Sequence, residues 1–315
     1  MKLLGTEIKP GDSKVIELEV AKLHTRNNLY VPIIVERAVK KGPVLLLIGG
    51  IHGDEVNGVA IIRKMIKYRL NKPGAGTVIC IPVFNIFGYL NQTRQFPDGR
   101  DLNRVFPGSP NGSLASQFAN QFVKEIGPIV DYVIDFHTGS ADRDNVPQVR
   151  CVLSEEKSFE LAKIFGAPLI VHSNYINKSI REALNKLGKI TLLFEGGKSK
   201  SIDPKVVDCG VNGVRNVMAF LKMNPELKAL QKSEVIVKKS HWIRAKHSGM
   251  LHLKVTNGGF VKKNEVLANI TDPFGEFEKR VIATNDGYVI CVNTSPIVNR
   301  GDALFHLSIE HTHIT

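Results

Sequence analysis

Five consecutive apolar residues, Val44-Leu45-Leu46-Leu47-Ile48, closed by Gly49-Gly50, constrain this chain more than any other feature. An unbroken run of this kind suits a strand buried on both faces of a sheet, and such a strand needs cover above and below. The residues that follow supply it. Val56, Val59, Ile62, Met65 and Ile66 recur at helical spacing between Glu55 and Leu70. The alternation then continues, with strands expected at 78–84, 129–136 and 190–194 and helices at 114–126, 155–165, 177–187 and 204–223. A short strand falls at Leu169-Ile170-Val171, and residues 14–36 read as two strands around the turn-prone His24-Thr25-Arg26-Asn27-Asn28. Strands alternating with helices indicate an α/β sheet covered on both sides.

Helical periodicity stops near residue 235. Short β-type segments follow, separated by Asn257-Gly258-Gly259, Asp272-Pro273-Phe274-Gly275, Asn285-Asp286-Gly287 and Arg300-Gly301-Asp302. The expected division is an α/β domain over 1–234 and a small all-β domain over 235–315, with the boundary within 224–234.

The net charge is +12, but the lysines are scattered and no basic run is interleaved with aromatics. A solvated lysine-rich surface accounts for the charge, and nucleic acid is not an expected partner. Four cysteines, at 80, 151, 209 and 291, form no CxxC pair and fit a reducing compartment. No apolar run approaches the roughly 20 residues of a membrane span, and MKLLGTEIKPGDSK has too short an apolar stretch for a secretory signal. A cytoplasmic protein, away from membranes, is expected, and a homo-oligomer is compatible with these features.

The chemistry concentrates at the expected strand ends. Gly49-Gly50-Ile51-His52-Gly53-Asp54-Glu55 sets His52 and Glu55 three residues apart where a strand passes into a helix, and a second histidine, His137, closes another strand in Ile134-Asp135-Phe136-His137-Thr138-Gly139. Two His and one Glu, with a fourth position left for water, are a common catalytic zinc set. These donors suit zinc without excluding other divalent metals. Functional groups in open α/β sheets gather at the carboxyl ends of strands, where these residues are expected. Glu195, in Leu192-Leu193-Phe194-Glu195-Gly196-Gly197, also ends a strand. It is the candidate general base, and the two glycines would let a ligand approach the backbone. Asp135, two residues before His137, is either a partner that orients the histidine or an ordinary strand Asp. Between the ligands, residues 94–108 form a turn-rich loop holding Arg94, Arg100, Asn103 and Arg104. Guanidinium forks of this kind grip carboxylates and stabilise oxyanions.

The segments GGIHGDE, RQFPDGRDLNRVFPG, DFHTG and FEGG, in this order, resemble the succinylglutamate desuccinylase/aspartoacylase family of the zinc carboxypeptidase-like group. The resemblance implies a mixed β-sheet sandwiched by helices. It implies one Zn²⁺ held by His52, Glu55 and His137, with Glu195 catalytic. It makes Asn103 and Arg104 substrate-binding and gives Arg94, with Arg100 as competitor, the task of polarising the scissile carbonyl. Arg143-Asp144-Asn145-Val146-Pro147-Gln148-Val149-Arg150 looks like a stretch of some bacterial members, which makes Arg150 a candidate for the substrate carboxylate. Residues 245–310 also resemble a lipoyl- or biotinyl-type barrel, but the tip at 271–276 has no lysine to carry a group. The expected reaction is hydrolysis of the amide bond in a small anionic N-acyl amino acid or related amine. A peptide carboxypeptidase with the same chemistry, or a metal-binding protein without catalysis, are the alternatives.

Overall fold

The computed structural model describes residues 1–224 and 235–314. Most of the boundary expected at 224–234 therefore lies outside the described residues. Among those described, twelve strands form one mixed sheet. Its centre holds Lys40–Ile48, Ala75–Ile81, Tyr132–Gly139 and Ile190–Lys198, all parallel. The antiparallel hairpin Ser13–Lys22 and Asn28–Arg37 extends one side through the pairing of Asn28–Arg37 with Ala75–Ile81.

The apolar run behaves as its continuity requires. Leu46 and Ile48 enter one core with Phe118 and Phe122, from the helix Leu114–Glu125. Leu45 and Leu47 enter the other with Ile61 and Met65, from the helix Val56–Lys67, and Val214, from the helix Pro204–Phe220. Alternate residues of one strand thus fill two layers, because successive side chains point to opposite faces.

The strand expected at 129–136 begins at Tyr132, since Gly127–Ile129 form a 3-10 turn. The strand expected at 190–194 runs on to Lys198, through both glycines. Residues 143–151 form a strand that periodicity alone does not reveal. It lies antiparallel to Ile190–Lys198 and carries one extra residue opposite Glu195–Gly197.

The C-terminal region is all β. Val235–Arg244 pairs in parallel with Leu169–His172, and Gly287–Asn293 pairs with Arg143–Cys151. Ala303–His313 pairs with both Val235–Arg244 and Gly287–Asn293, and Leu169–His172 with Arg143–Cys151, so these five strands close into a ring. Val146, Leu169, Val171, Val235, Val237 and Ile290 pack together among them. A second sheet of Gly249–Leu253, Val266–Thr271, Glu278–Ile282 and Ile297–Val298 contributes to a further core around Leu267, Ile270, Leu304 and Phe305. Among the described residues no helix is long and apolar enough to cross a membrane.

Candidate metal centre and active site

His52 and Glu55 lie on the turn between Lys40–Ile48 and the helix Val56–Lys67. Gly53 makes this turn possible by close approach. A Cβ there would fall 1.7 Å from the backbone carbon of Gly88, while the Gly53 N–H donates to the Thr93 carbonyl at 3.0 Å. Glu55 occupies the N-cap position of the helix, yet its side chain makes no capping bond. It turns instead to the two imidazoles, with Oε1 2.9 Å from His52 Nδ1 and Oε2 3.0 Å from His137 Nδ1. One donor atom from each of the three residues lies within 4.8 Å of the others, and all three side chains are buried.

The opposite ring nitrogens are also held. His52 Nε2 lies 3.0 Å from Asp101 Oδ1, and His137 Nε2 lies 2.9 Å from Asp135 Oδ2. Asp135 is therefore the orienting partner, placed by the two-residue repeat of its strand. A carboxylate on Nε2 leaves Nδ1 as the ligand atom, the arrangement that fixes tautomer and ring orientation around bound metals. The donor set and its orientation thus fit a divalent cation of the zinc type. Burial opposes charge on both histidines, but the surrounding carboxylates outweigh it. Glu55 and Asp101 raise the pKa of His52, and Asp135 and Glu55 raise that of His137 well above the ordinary value. Burial likewise opposes charge on Glu55, and the two imidazoles overcome it, holding its pKa well below the usual range.

Asp101 ties this cluster to the arginine loop. Its Oδ2 accepts from Arg94 Nε at 3.0 Å and Nη2 at 2.8 Å, while Arg94 Nη1 donates to Ser140 Oγ at 2.7 Å and Glu55 Oε1 at 3.2 Å. Ser140 Oγ and the Thr138 N–H also donate to Glu55. Glu195 stands opposite His137 across the paired strands. Asn145 Nδ2 donates to its Oε2 at 2.5 Å, and Arg150 Nε lies 3.8 Å from its Oε1.

These groups surround one cavity of 170 Å³, lined by His52, Glu55, His137, Glu195, Arg94, Asn103, Arg104 and Arg150 together with Arg143, Asn145, Leu193, Trp242 and Cys291. Asn103 spends its side-chain oxygen on the Ile180 N–H at 2.9 Å, and Arg104 Nη1 donates to the Asn103 carbonyl at 2.7 Å. Arg100 is not brought to the cavity. It is 55% exposed, 3.7 Å from Asp98, and lines a neighbouring cleft. The reading of Gly196 and Gly197 as a ligand approach also needs correction. A Cβ on Gly196 would strike Val206 and one on Gly197 would strike Asn57, so helix packing excludes side chains there. A larger cleft of 820 Å³ lies beyond the turn, among Val59, Tyr68, Tyr89, Leu90 and Ile202, and contains none of the ligand atoms.

Sequence reasoning missed Asp101, Ser140, Asn145, Arg143 and Trp242. Asp101 and Asn145 stood inside quoted segments, where their polarity was the available signal. Trp242 had none, because it reaches the cavity from a strand far beyond Glu195 in the sequence.

The succinylglutamate desuccinylase/aspartoacylase catalytic domain model matches residues 41–221, and the chain belongs to this family. It is 28% identical, over 88% of its own length and 84% of the relative's, to the N-alpha-acetyl-L-2,4-diaminobutyric acid deacetylase of Halomonas elongata. The crystal structure of a succinylglutamate desuccinylase/aspartoacylase from Rhodobacter sphaeroides superposes with a TM-score of 0.80 at 25% identity, covering 95% of this chain and 96% of that one. The product-bound ectoine utilization protein of Ruegeria pomeroyi superposes with a TM-score of 0.84 at 22% identity, covering 96% and 97%.

Proposed function

We propose that this protein is a zinc-dependent deacylase that hydrolyses the amide bond of a small anionic N-acyl amino acid or related N-acyl amine. The carrying observation is one 170 Å³ cavity in which the His52-Glu55-His137 donors, Glu195 and several arginines meet. The deacetylase activity named for the Halomonas relative supports the same reading. Zn²⁺ held by His52 Nδ1, His137 Nδ1 and Glu55 would polarise the acyl carbonyl and lower the pKa of water toward about 7.

The chain's own groups do the rest. Glu195 accepts the proton of the attacking water and passes it to the leaving amine, with Asn145 holding its carboxylate in place. Arg94 lies beside the donors and stabilises the oxyanion that forms on the former carbonyl oxygen. Arg104 and the amide nitrogen of Asn103, together with Arg150 in the same cavity lining, take a substrate carboxylate. Arg100, outside the cavity, has no part.

The cavity is smaller than the roughly 300–1,000 Å³ typical of drug-sized ligands, which favours a metabolite over a peptide. The C-terminal region is proposed as a barrel-like module of lipoyl or biotinyl type without a carrier role, since its tip between Thr271 and Glu278 has no lysine. The free thiols of all four cysteines fit a cytoplasmic setting. The test is amine release from a panel of N-acyl amino acids, N-acetyl diamino acids included, by zinc-loaded protein. Turnover of at least one small N-acyl amino acid is expected. No turnover across the panel, or activity that rises with peptide length, would sink the proposal.

A further inference from the structure

Trp242, on the strand Val235–Arg244, lines the cavity from the C-terminal region. Strand pairing sets it there. Trp242 lies opposite His306, His306 opposite Cys291, and Cys291 opposite Asn145, so one cross-strand row over four strands ends on the residue bonded to Glu195. Two groups rest against the indole. The His306 ring stacks at 4.7 Å between centroids and 8° from parallel, anchored by its Nε2 bond to Ser240 Oγ at 2.8 Å. The Arg143 guanidinium lies 5.4 Å from the indole centroid.

Arg143 is exposed and also lines the cavity, which places it at the mouth. It makes no ion pair with any described carboxylate, whereas Arg94 is committed to Asp101 and Glu55. A guanidinium lying on an aromatic ring keeps its N–H groups free along its edge, where a carboxylate docks in bidentate fashion.

We propose that Trp242 is a positioning residue: it holds Arg143 over the mouth of the cavity, where Arg143 grips an anionic group at the outer end of the substrate. The proposal rests on the deacylase reading for its substrate. It adds a specificity element supplied jointly by the strand 143–151 and the C-terminal region.

Trp242 is the chain's one tryptophan, so emission of the zinc-loaded protein reports on this site independently of turnover. N-acetyl-L-aspartate and N-acetyl-L-asparagine are near-isosteric and differ in the outer charge. Wild-type emission should change saturably with the aspartate derivative at about tenfold lower concentration than with the asparagine derivative. Arg143→Met should erase that preference. In kinetics, Arg143→Met and Trp242→Ala should each raise KM for the acidic substrate about tenfold while kcat moves little, and Trp242→Phe, which keeps a ring, should restore most of the loss.

Equal loss of kcat on both substrates in Trp242→Ala, or no rescue by phenylalanine, would overturn the positioning role. If Trp242→Ala does not fold, Arg143→Met decides, because it removes no buried contact. If wild type hydrolyses neither compound, the deacylase reading is in question, yet the titration still decides this one. A charge preference lost in Arg143→Met supports it, and the absence of any preference overturns it.

Discussion

Asp101 is the side chain on which the candidate site converges. One oxygen orients His52 and the other receives two donors of Arg94. Asp101→Asn keeps the shape but loses the charge that both partners face. Metal affinity should fall about 10- to 100-fold, the usual consequence of removing a group that orients a ligand. Competition with a chromophoric chelator measures this. Glu195→Gln should behave differently, because Glu195 is not a ligand. Zinc content should stay at the wild-type level while turnover falls by about 10²–10⁴. Parallel metal analysis and amine-release assays separate the two variants. Undiminished turnover in Glu195→Gln would remove Glu195 from the general-base role, and no turnover in either protein would leave a metal-binding protein without catalysis as the better description.

The elements decide which way each group faces. On the strand 143–151, Arg143 and Asn145 are separated from Arg150 by odd numbers of residues, so strict alternation would send Arg150 to the opposite face. The extra residue opposite Glu195–Gly197, at a proline-containing stretch, resets the alternation, and all three line one cavity. The turn that presents His52 depends in the same way on a backbone detail. Gly53→Ala would drive a methyl group into the Gly88 backbone. The turn must move, at a cost of about 3 kcal/mol or more. Thermal unfolding should register that loss, and zinc binding should weaken with it because His52 and Glu55 flank the displaced residue.

At the scale of the whole molecule, the C-terminal strands are part of the catalytic sheet. They pair with Leu169–His172 and Arg143–Cys151 and contribute Trp242 and Cys291 to the cavity. A chain ending at residue 224 would strip those two strands of their C-terminal partners and leave the small core around Val146, Leu169 and Val171 open to water. It should aggregate or unfold rather than yield an active fragment, as light scattering and circular dichroism would show.

His306 gives this junction a pH dependence. Burial above all, then the Arg150 and His241 charges, lowers its pKa from 6.5 to about 3. Between those values the unfolded chain binds the proton and the folded one does not. The contribution of this group is therefore unpenalised above pH 6.5 and declines as pH falls toward 3, by roughly 1.4 kcal/mol per unit. His306→Phe keeps an aromatic partner for Trp242 and should flatten the decline in melting temperature measured from pH 6.5 to about 5.

Much of this was readable in the chain itself. Unbroken apolar runs closed by Gly-Gly announce strands buried on both faces, because no amphipathic surface strand tolerates such a run. His52 and Glu55 could be picked out because they follow such a strand, and His137 and Glu195 because they fall near the carboxyl ends of two others, and strand ends converge in an α/β sheet. The arginines were legible as a group but not as individuals, since composition cannot tell Arg94, locked to Asp101, from Arg100, facing solvent. Sequence alone pointed to the α/β architecture through local periodicity, and to the family and the candidate ligand set through four short motifs in a fixed order along the chain. Tertiary structure decided that Asp101 anchors His52, that an extra residue brings Arg150 to the cavity, and that Trp242 and Arg143 line it. Each of these depends on strand register and pairing between distant segments, which no local pattern encodes.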